Sequence, residues 1–206
     1  MHVKEGLECR SGGIRCVIDG AECLRVSREV ARLFGKEVAD GALKNFAIMV
    51  CSDAFVETYA LSKEVARVVE VLFSSGYIPY SAGMYLGRLR KARPVFIPST
   101  QLLELLYSTH GLARAFMIGE SGVRPFLYGK DVLGVSLLKC FPPIEPGEVV
   151  GIVGRDGSIY GLGLSTVGSC EEAYRLRGSR RVIARNIFDV GWYIRGISLG
   201  ERKYKV

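Results

Sequence analysis

The stretch 149–166, VVGIVGRDGSIYGLGLST, constrains the fold more than any other part of the chain. It reads as two short strands joined by a tight turn. Val149, Val150, Ile152 and Val153 lead in, and Ile159, Tyr160, Leu162 and Leu164 lead out. Between them Asp156-Gly157 accepts the positive φ angles that a two-residue hairpin turn demands. Five glycines (Gly151, Gly154, Gly157, Gly161 and Gly163) punctuate the strands. Inside a strand, glycine marks a bulge, a barrel corner, or close approach by another backbone or a ligand. The stretch predicts the centre of a small, curved β domain.

The flanking sequence supplies the rest of that domain and a different one before it. Residues 14–18 read as a strand and Asp19-Gly20 as a turn; Ser27 reads as the N-cap of a helix with Val30, Leu33, Phe34 and Val38 on one face, ending near Gly41. Residues 45–51 and 55–61 read as an antiparallel pair of strands. Ser62 caps the clearest helix, through Val65, Val68, Val69, Leu72 and Phe73, with Gly76 beyond its end. Strands follow at 77–80, 84–89 and 95–97, then a helix from Ser99 or Thr100 through Leu106, and a strand at 113–118. Such mixing of helices with short antiparallel connections predicts an α+β fold. Residues 119–122 read as a flexible boundary, which gives an N-terminal domain over 1–118, with 1–26 a possible extension, and a C-terminal domain over 123–206. In the second domain a turn at 129–133, a segment at 169–174 and closing strands at 181–187 and 191–197 complete a compact barrel around the hairpin.

Charge directs attention to the C-terminus. The chain of 206 residues carries 28 basic and 21 acidic side chains, a formal charge of +7. Within 175–206 there are nine basic residues against Asp189 and Glu201. A basic tail of this kind suits a polyanion, and the preference for Arg over Lys, 19 to 9, suits bidentate phosphate contacts and stacking on bases. On the closing strands Arg181, Ile183 and Arg185 alternate with Val182 and Ala184, and Tyr193 shares a face with Arg195. A basic face interleaved with aromatics is what single-stranded RNA requires. A second group, Arg88, Arg90, Lys91 and Arg93, lies in a stretch with no acid between Glu70 and Glu104. These like charges repel unless an anion or a partner lies opposite, which makes them candidates for docking another protein.

Catalytic chemistry has no evident players. His2 and His110 are the only histidines, the phosphate loop and dinucleotide fingerprint are missing, and no carboxylate pair stands out. The six cysteines, at 9, 16, 23, 51, 140 and 170, form no C-x-x-C pair, so no metal site is expected and they read first as buried or free thiols. Three side-chain amides (Asn45, Gln101 and Asn186) in the whole chain suggest a thermophilic source, where an intracellular disulfide is admissible. No apolar run approaches a membrane span and the N-terminus shows no secretion signal, so the expectation is a cytoplasmic protein with no membrane, cofactor or small-molecule partner.

Several motifs together carry a resemblance. Pro125-Phe126-Leu127-Tyr128-Gly129-Lys130, followed by Asp131-Val132-Leu133, resembles the start of a PUA domain; Gly161-x-Gly163 and Asp189-Val190-Gly191-Trp192-Tyr193-Ile194-Arg195 resemble its second half. Upstream, Tyr59-Ala60-Leu61-Ser62 and Gly83-Met84-Tyr85-Leu86-Gly87-Arg88-Leu89 resemble the N-terminal domain of the Nip-seven family of large-ribosomal-subunit biogenesis factors, found in archaea and in eukaryotic nucleoli. The resemblance implies an N-terminal α/β domain and a C-terminal PUA barrel that binds single-stranded, U-rich RNA in pre-rRNA processing, with exosome subunits or other ribosome assembly factors as partners. It implies RNA contact around Arg195, Arg202, Lys203 and Lys205. The sequence departs from the eukaryotic pattern at Asn186, where those members carry His, and in residues 1–26. The alternatives are a PUA protein that serves an RNA-modifying enzyme, and a protein–protein adaptor that docks through 88–93.

Overall fold

The computed structural model describes residues 6–53, 55–79, 81–89, 96–193 and 195. It divides into two compact units, Met1–His110 and Gly111–Val206.

The first unit is a six-stranded antiparallel sheet in the order β1 (Leu7–Ser11), β2 (Ile14–Ile18), β3 (Ala47–Ser52), β4 (Val56–Leu61), β5 (Met84–Leu89) and β6 (Phe96–Pro98). Helices α1 (Ala21–Phe34) and α2 (Lys36–Leu43) lie between β2 and β3, α3 (Lys63–Ser74) between β4 and β5, and α4 (Thr100–His110) after β6. Both faces of the sheet are buried. Cys23, Val26, Val30 and Leu33 of α1, with Leu102 and Leu106 of α4, cover one face; Ala66, Val69 and Phe73 of α3 cover the other.

Helix α1 starts six residues before the expected Ser27 cap, because Gly20 in an extended conformation ends the turn after β2 and the apolar spacing 23, 26, 30, 33 continues back to it. Gly35, at φ +94°, then splits the expected single helix into α1 and α2. Ser62 does cap α3, its hydroxyl accepting from the Val65 N–H at 3.3 Å. No strand forms over 77–79.

The second unit is a six-stranded curled sheet. Its strands are β7 (Ala115–Ile118), β8 (Val132–Leu133), β9 (Leu137–Phe141), β10 (Val149–Val153), β11 (Ile159–Ser165) and β12 (Val182–Asp189), in the order β8-β12-β11-β10-β7-β9. The two ends of that order, β8 and β9, are separated in sequence by a single 3-10 turn, Gly134–Ser136, so the sheet curls back on itself. All pairs are antiparallel except β7 with β10. Helix α5 (Glu120–Leu127) and α6 (Cys170–Arg175) complete the unit.

Two expectations about the join between the units differ from the structure. The strand over 115–118 hydrogen-bonds to β9 and β10, so it opens the second unit rather than closing the first. The stretch 119–122 is no linker: Gly119 is the N-cap of α5, and the Gly122 N–H bonds to its carbonyl at 2.8 Å.

The hairpin has its strands where expected but a longer turn. The Gly154 N–H reaches Ser158 O at 2.9 Å and the Gly157 N–H reaches Gly154 O at 3.1 Å, which places Arg155 and Asp156 at the tip and Gly157 (φ +83°) after them. A turn followed by a left-handed residue is the next commonest way to join two antiparallel strands. Gly161 shows why glycine recurs in β11. A Cβ there would collide with the Phe188 carbonyl of β12 and come within 2.8 Å of the Asp189 Cα, at φ +154°. The glycines serve close strand contact and curvature.

Four of the six cysteines are paired. Cys16–Cys51 joins β2 to β3, and Cys140–Cys170 joins β9 to the start of α6. Spacing carried no sign of these bonds, because each depends on which strands become neighbours.

Candidate nucleic-acid interface

The motif that begins the second domain folds as α5 and the loop after it, and β12 straps that loop down. The buried Asn186 amide donates to the Phe126 carbonyl at 2.9 Å, the Lys130 carbonyl at 3.4 Å and Asp189 Oδ2 at 3.3 Å. The Asn186 N–H in turn reaches Asp131 Oδ1 at 2.9 Å. Asp189, with 3% of its side chain exposed, receives both guanidinium nitrogens of Arg195, Nη1 to Oδ1 at 2.7 Å and Nη2 to Oδ2 at 3.3 Å. Arg195 Nη1 also donates to the Leu127 carbonyl at the end of α5. A forked, two-point pairing with a buried carboxylate fixes geometry as well as charge. Gly191 completes the knot, since a Cβ there would strike the Leu127 carbonyl.

This knot forms one wall of an open groove of about 1140 Å³. Helix α5 contributes Glu120, Val123, Arg124, Pro125 and Leu127, and the loop after it contributes Tyr128; the hairpin contributes Arg155, Asp156 and Tyr160. Ile118, Val123, Pro125 and Leu127 make much of the wall apolar. Arg124 and Arg155 are exposed on its rim and make no ion pair among the described residues. Tyr128 stands 67% exposed beside them. Asp156 is bound into the hairpin tip, accepting from the Ser158 hydroxyl at 2.7 Å and its N–H at 3.1 Å. Those bonds hold its carboxyl below the usual range, so it stays ionised and fixes the turn that carries Arg155.

The residues singled out in the sequence fall in three places. Arg195 lines the groove, but its guanidinium is engaged by Asp189 and Leu127. Arg185 is exposed on β12 opposite Leu164 of β11, and Arg181 is exposed in the bend just before β12. The expected alternating basic face does not form, because Ile183 between them is fully buried in the core and the register shifts between Val182 and Ala184. Tyr193 is 59% exposed, in a 3-10 turn (Val190–Tyr193) rather than the expected strand, with its ring edge-on to Phe188 and Trp192. Arg202, Lys203 and Lys205 lie outside the described residues, as do Arg90, Lys91 and Arg93. Arg88 is described, and its side chain is only 16% exposed: it pairs with Glu57 of the neighbouring strand at 3.3 Å and lies 3.9 Å over the Phe55 ring.

The groove residues that sequence reasoning did not single out for RNA are Arg124, Tyr128 and Tyr160. Tyr128 lay within the motif at 125–130 and Tyr160 within the second strand of the hairpin, while Arg124 carried no signal of its own. What was missing was the fold that sets helix and tip on opposite sides of one groove.

The curled sheet of the second unit, with α5 after its first strand and α6 before its last, is the part of the chain that matches a PUA domain, a class that generally binds RNA. Residues 114–198 match the family described as the UPF0113 PUA domain. No curated protein matches the chain. Among solved structures, a hypothetical protein of Pyrococcus horikoshii OT3 aligns with TM-score 0.58 and 17% identity over 84% of this chain and 94% of its own. A conserved PUA domain protein of Thermoplasma acidophilum gives TM-score 0.53 and 14% identity over 86% of this chain and 95% of its own. A PUA domain of Aeropyrum pernix K1, crystallised with tartrate, gives 0.53 and 12% over 91% and 94%. All three come from archaea, and the likeness extends beyond residues 114–198 into the first unit.

Proposed function

We propose that this chain is a non-enzymatic RNA-binding protein that holds single-stranded, U-rich RNA in the groove between α5 and the hairpin tip. One observation carries the reading: two exposed arginines, Arg124 and Arg155, stand on the rim of a groove whose wall is apolar and aromatic. Phosphates need mobile positive charge, and unstacked bases need flat apolar surface; the groove presents both. At about 1140 Å³ it exceeds an ordinary small-ligand pocket and suits a stretch of strand. The resemblance to the Nip-seven family supports a place in large-subunit assembly and pre-rRNA processing in the cytoplasm, with exosome subunits or other assembly factors as partners.

Arg195 acts in this scheme through Asp189, as the support of the loop that carries Tyr128. Arg181, Arg185 and Tyr193 are exposed and offer further contacts to the same strand, and the basic residues Arg202, Lys203 and Lys205 follow them in sequence.

Fluorescence anisotropy with a labelled U-rich oligonucleotide tests the reading. A single strand binds more tightly than a duplex of equal length, and Arg124→Ala with Arg155→Ala weakens it about tenfold or more, at about 1 kcal/mol for each lost phosphate contact. Affinity for U-rich RNA that is independent of salt, or turnover of RNA by the purified chain, contradicts it.

A further inference from the structure

Three cysteines form a row across the first sheet. Cys9 on β1 stands opposite Cys16 on β2, and Cys16 stands opposite Cys51 on β3. Residues directly opposed in a sheet share a face, so all three sulfurs lie on the side covered by α3. Cys16 and Cys51 are joined, while Cys9 is a buried free thiol. Cys51 is half-buried; Cys16 has no exposed surface.

Strand geometry makes the two pairings unequal. The Cα atoms of Cys16 and Cys51 are 4.1 Å apart, the close kind of antiparallel pair. A residue in a close pair with one neighbouring strand stands in the wide pair with the other, at about 5.5 Å. That wide spacing still lies within the range a disulfide spans. The Gly12-Gly13 turn, both residues at positive φ, sets the β1–β2 register that brings Cys9 there.

We propose that the row is an internal thiol–disulfide switch in which Cys9 displaces Cys51 from Cys16. The Cys9 thiolate attacks Cys16 Sγ, a Cys9–Cys16 bond forms as the Cys16–Cys51 bond breaks, and Cys51 leaves as thiolate. The proton lost by Cys9 is returned to Cys51 through solvent, so no oxidant or reductant is consumed. Three opposed residues on adjacent strands set nucleophile, central sulfur and leaving sulfur in the order that displacement at sulfur requires. The result moves the free thiol from a buried site to a half-exposed one, where a small thiol or electrophile can cap it.

The sheet itself sets the balance. With β3 docked, the close pair favours Cys16–Cys51. When β3 loosens, chain entropy favours the bond that closes 7 residues over the one that closes 35, by about tenfold. The pairing thus records whether β3 is seated against β2.

Peptide mapping without reduction, after incubating the full chain with N-ethylmaleimide at mildly alkaline pH, reads the switch. Maleimide accumulates on Cys51 while Cys9 becomes linked to Cys16, faster in sub-denaturing urea than without it. Cys140–Cys170 stays intact throughout, and Cys23, whose thiol burial pushes up to about 11, reacts only on global unfolding. In Cys9→Ala, Cys51 stays linked to Cys16 and unlabelled under the same conditions. In Cys51→Ser, kept in a glutathione redox buffer, the folded chain forms Cys9–Cys16, losing two mass units without loss of circular dichroism. Labelling of Cys9 with Cys16–Cys51 intact, equal labelling of Cys51 with and without Cys9, or a Cys51→Ser chain that keeps both thiols free overturns the switch.

Discussion

Arg88 in the first unit and Arg155 in the second are both arginines beside strands, and they end in different situations. Arg88 faces Glu57 across two strands and lies over Phe55, so its charge is answered inside the protein. Arg155 is lifted off the sheet by a turn that Asp156 fixes, and it stands on the rim of a groove. Arg195 and Arg124 repeat the contrast within the second unit, one held by a buried carboxylate and the other exposed. An arginine is available to a nucleic acid only where the fold has put no acid opposite it. The pattern of residues along the chain does not carry that information; the pairing of strands does.

Substitutions can break this contrast at either end. The largest effect is expected from Asp189→Ala, which leaves Arg195 and the Asn186 amide without their shared acceptor. Removing one partner of a buried pair costs about 3–5 kcal/mol. Urea unfolding followed by Trp192, the only tryptophan in the chain, reports the second unit and is expected to show that loss. Gly161→Ala comes next, at roughly 2–4 kcal/mol, because the new methyl group meets β12 backbone and the φ is one that alanine avoids.

Arg88→Ala is expected to cost about 0–1 kcal/mol of stability, as a partly exposed ion pair does, and to leave RNA affinity unchanged. A loss of RNA binding in that variant would mean that the two regions are not distinct. The smallest effect is a dependence on acid. The Asp156 carboxyl is lowered by its bonds to Ser158, so the stability it gives the tip is complete above the ordinary carboxylate pKa of about 3.9 and is lost as pH falls through its own lower value. An NMR titration of the Asp156 carboxyl is expected to place its midpoint below that of a free aspartate, and Ser158→Ala to return it upward.

Much of the architecture was legible because local signals sufficed. The β2 and β5 strands, the Ser62 cap of α3 and both strands of the glycine-rich hairpin follow from alternation, capping chemistry and turn residues. What failed were features decided by distant parts of the chain. The strand at 115–118 belongs with residues that follow it by twenty to forty positions, so the end of the first domain could not be read from the stretch 119–122. Ile183, placed on a basic face by its period, is buried because the register of β12 shifts between Val182 and Ala184 and turns it into the core. The disulfides belong to the same class, since Cys16 and Cys51 meet only once β2 and β3 pair. The candidate site was half legible: its loop motif and hairpin were conspicuous, but nothing in the sequence showed that Arg195, read as a binding residue, has its guanidinium engaged by Asp189 and the Leu127 carbonyl.

The most direct test of the account is the salt dependence of U-rich RNA binding in the native chain and in the Arg124→Ala, Arg155→Ala double variant. With about four phosphates neutralised, the slope of log K against log salt is expected near −3, at about −0.7 per contact on a single strand. Losing two contacts is expected to flatten it to roughly −1.5, while Arg88→Ala leaves it unchanged. A double variant that keeps the native slope would contradict the assignment of the groove as the RNA-binding surface.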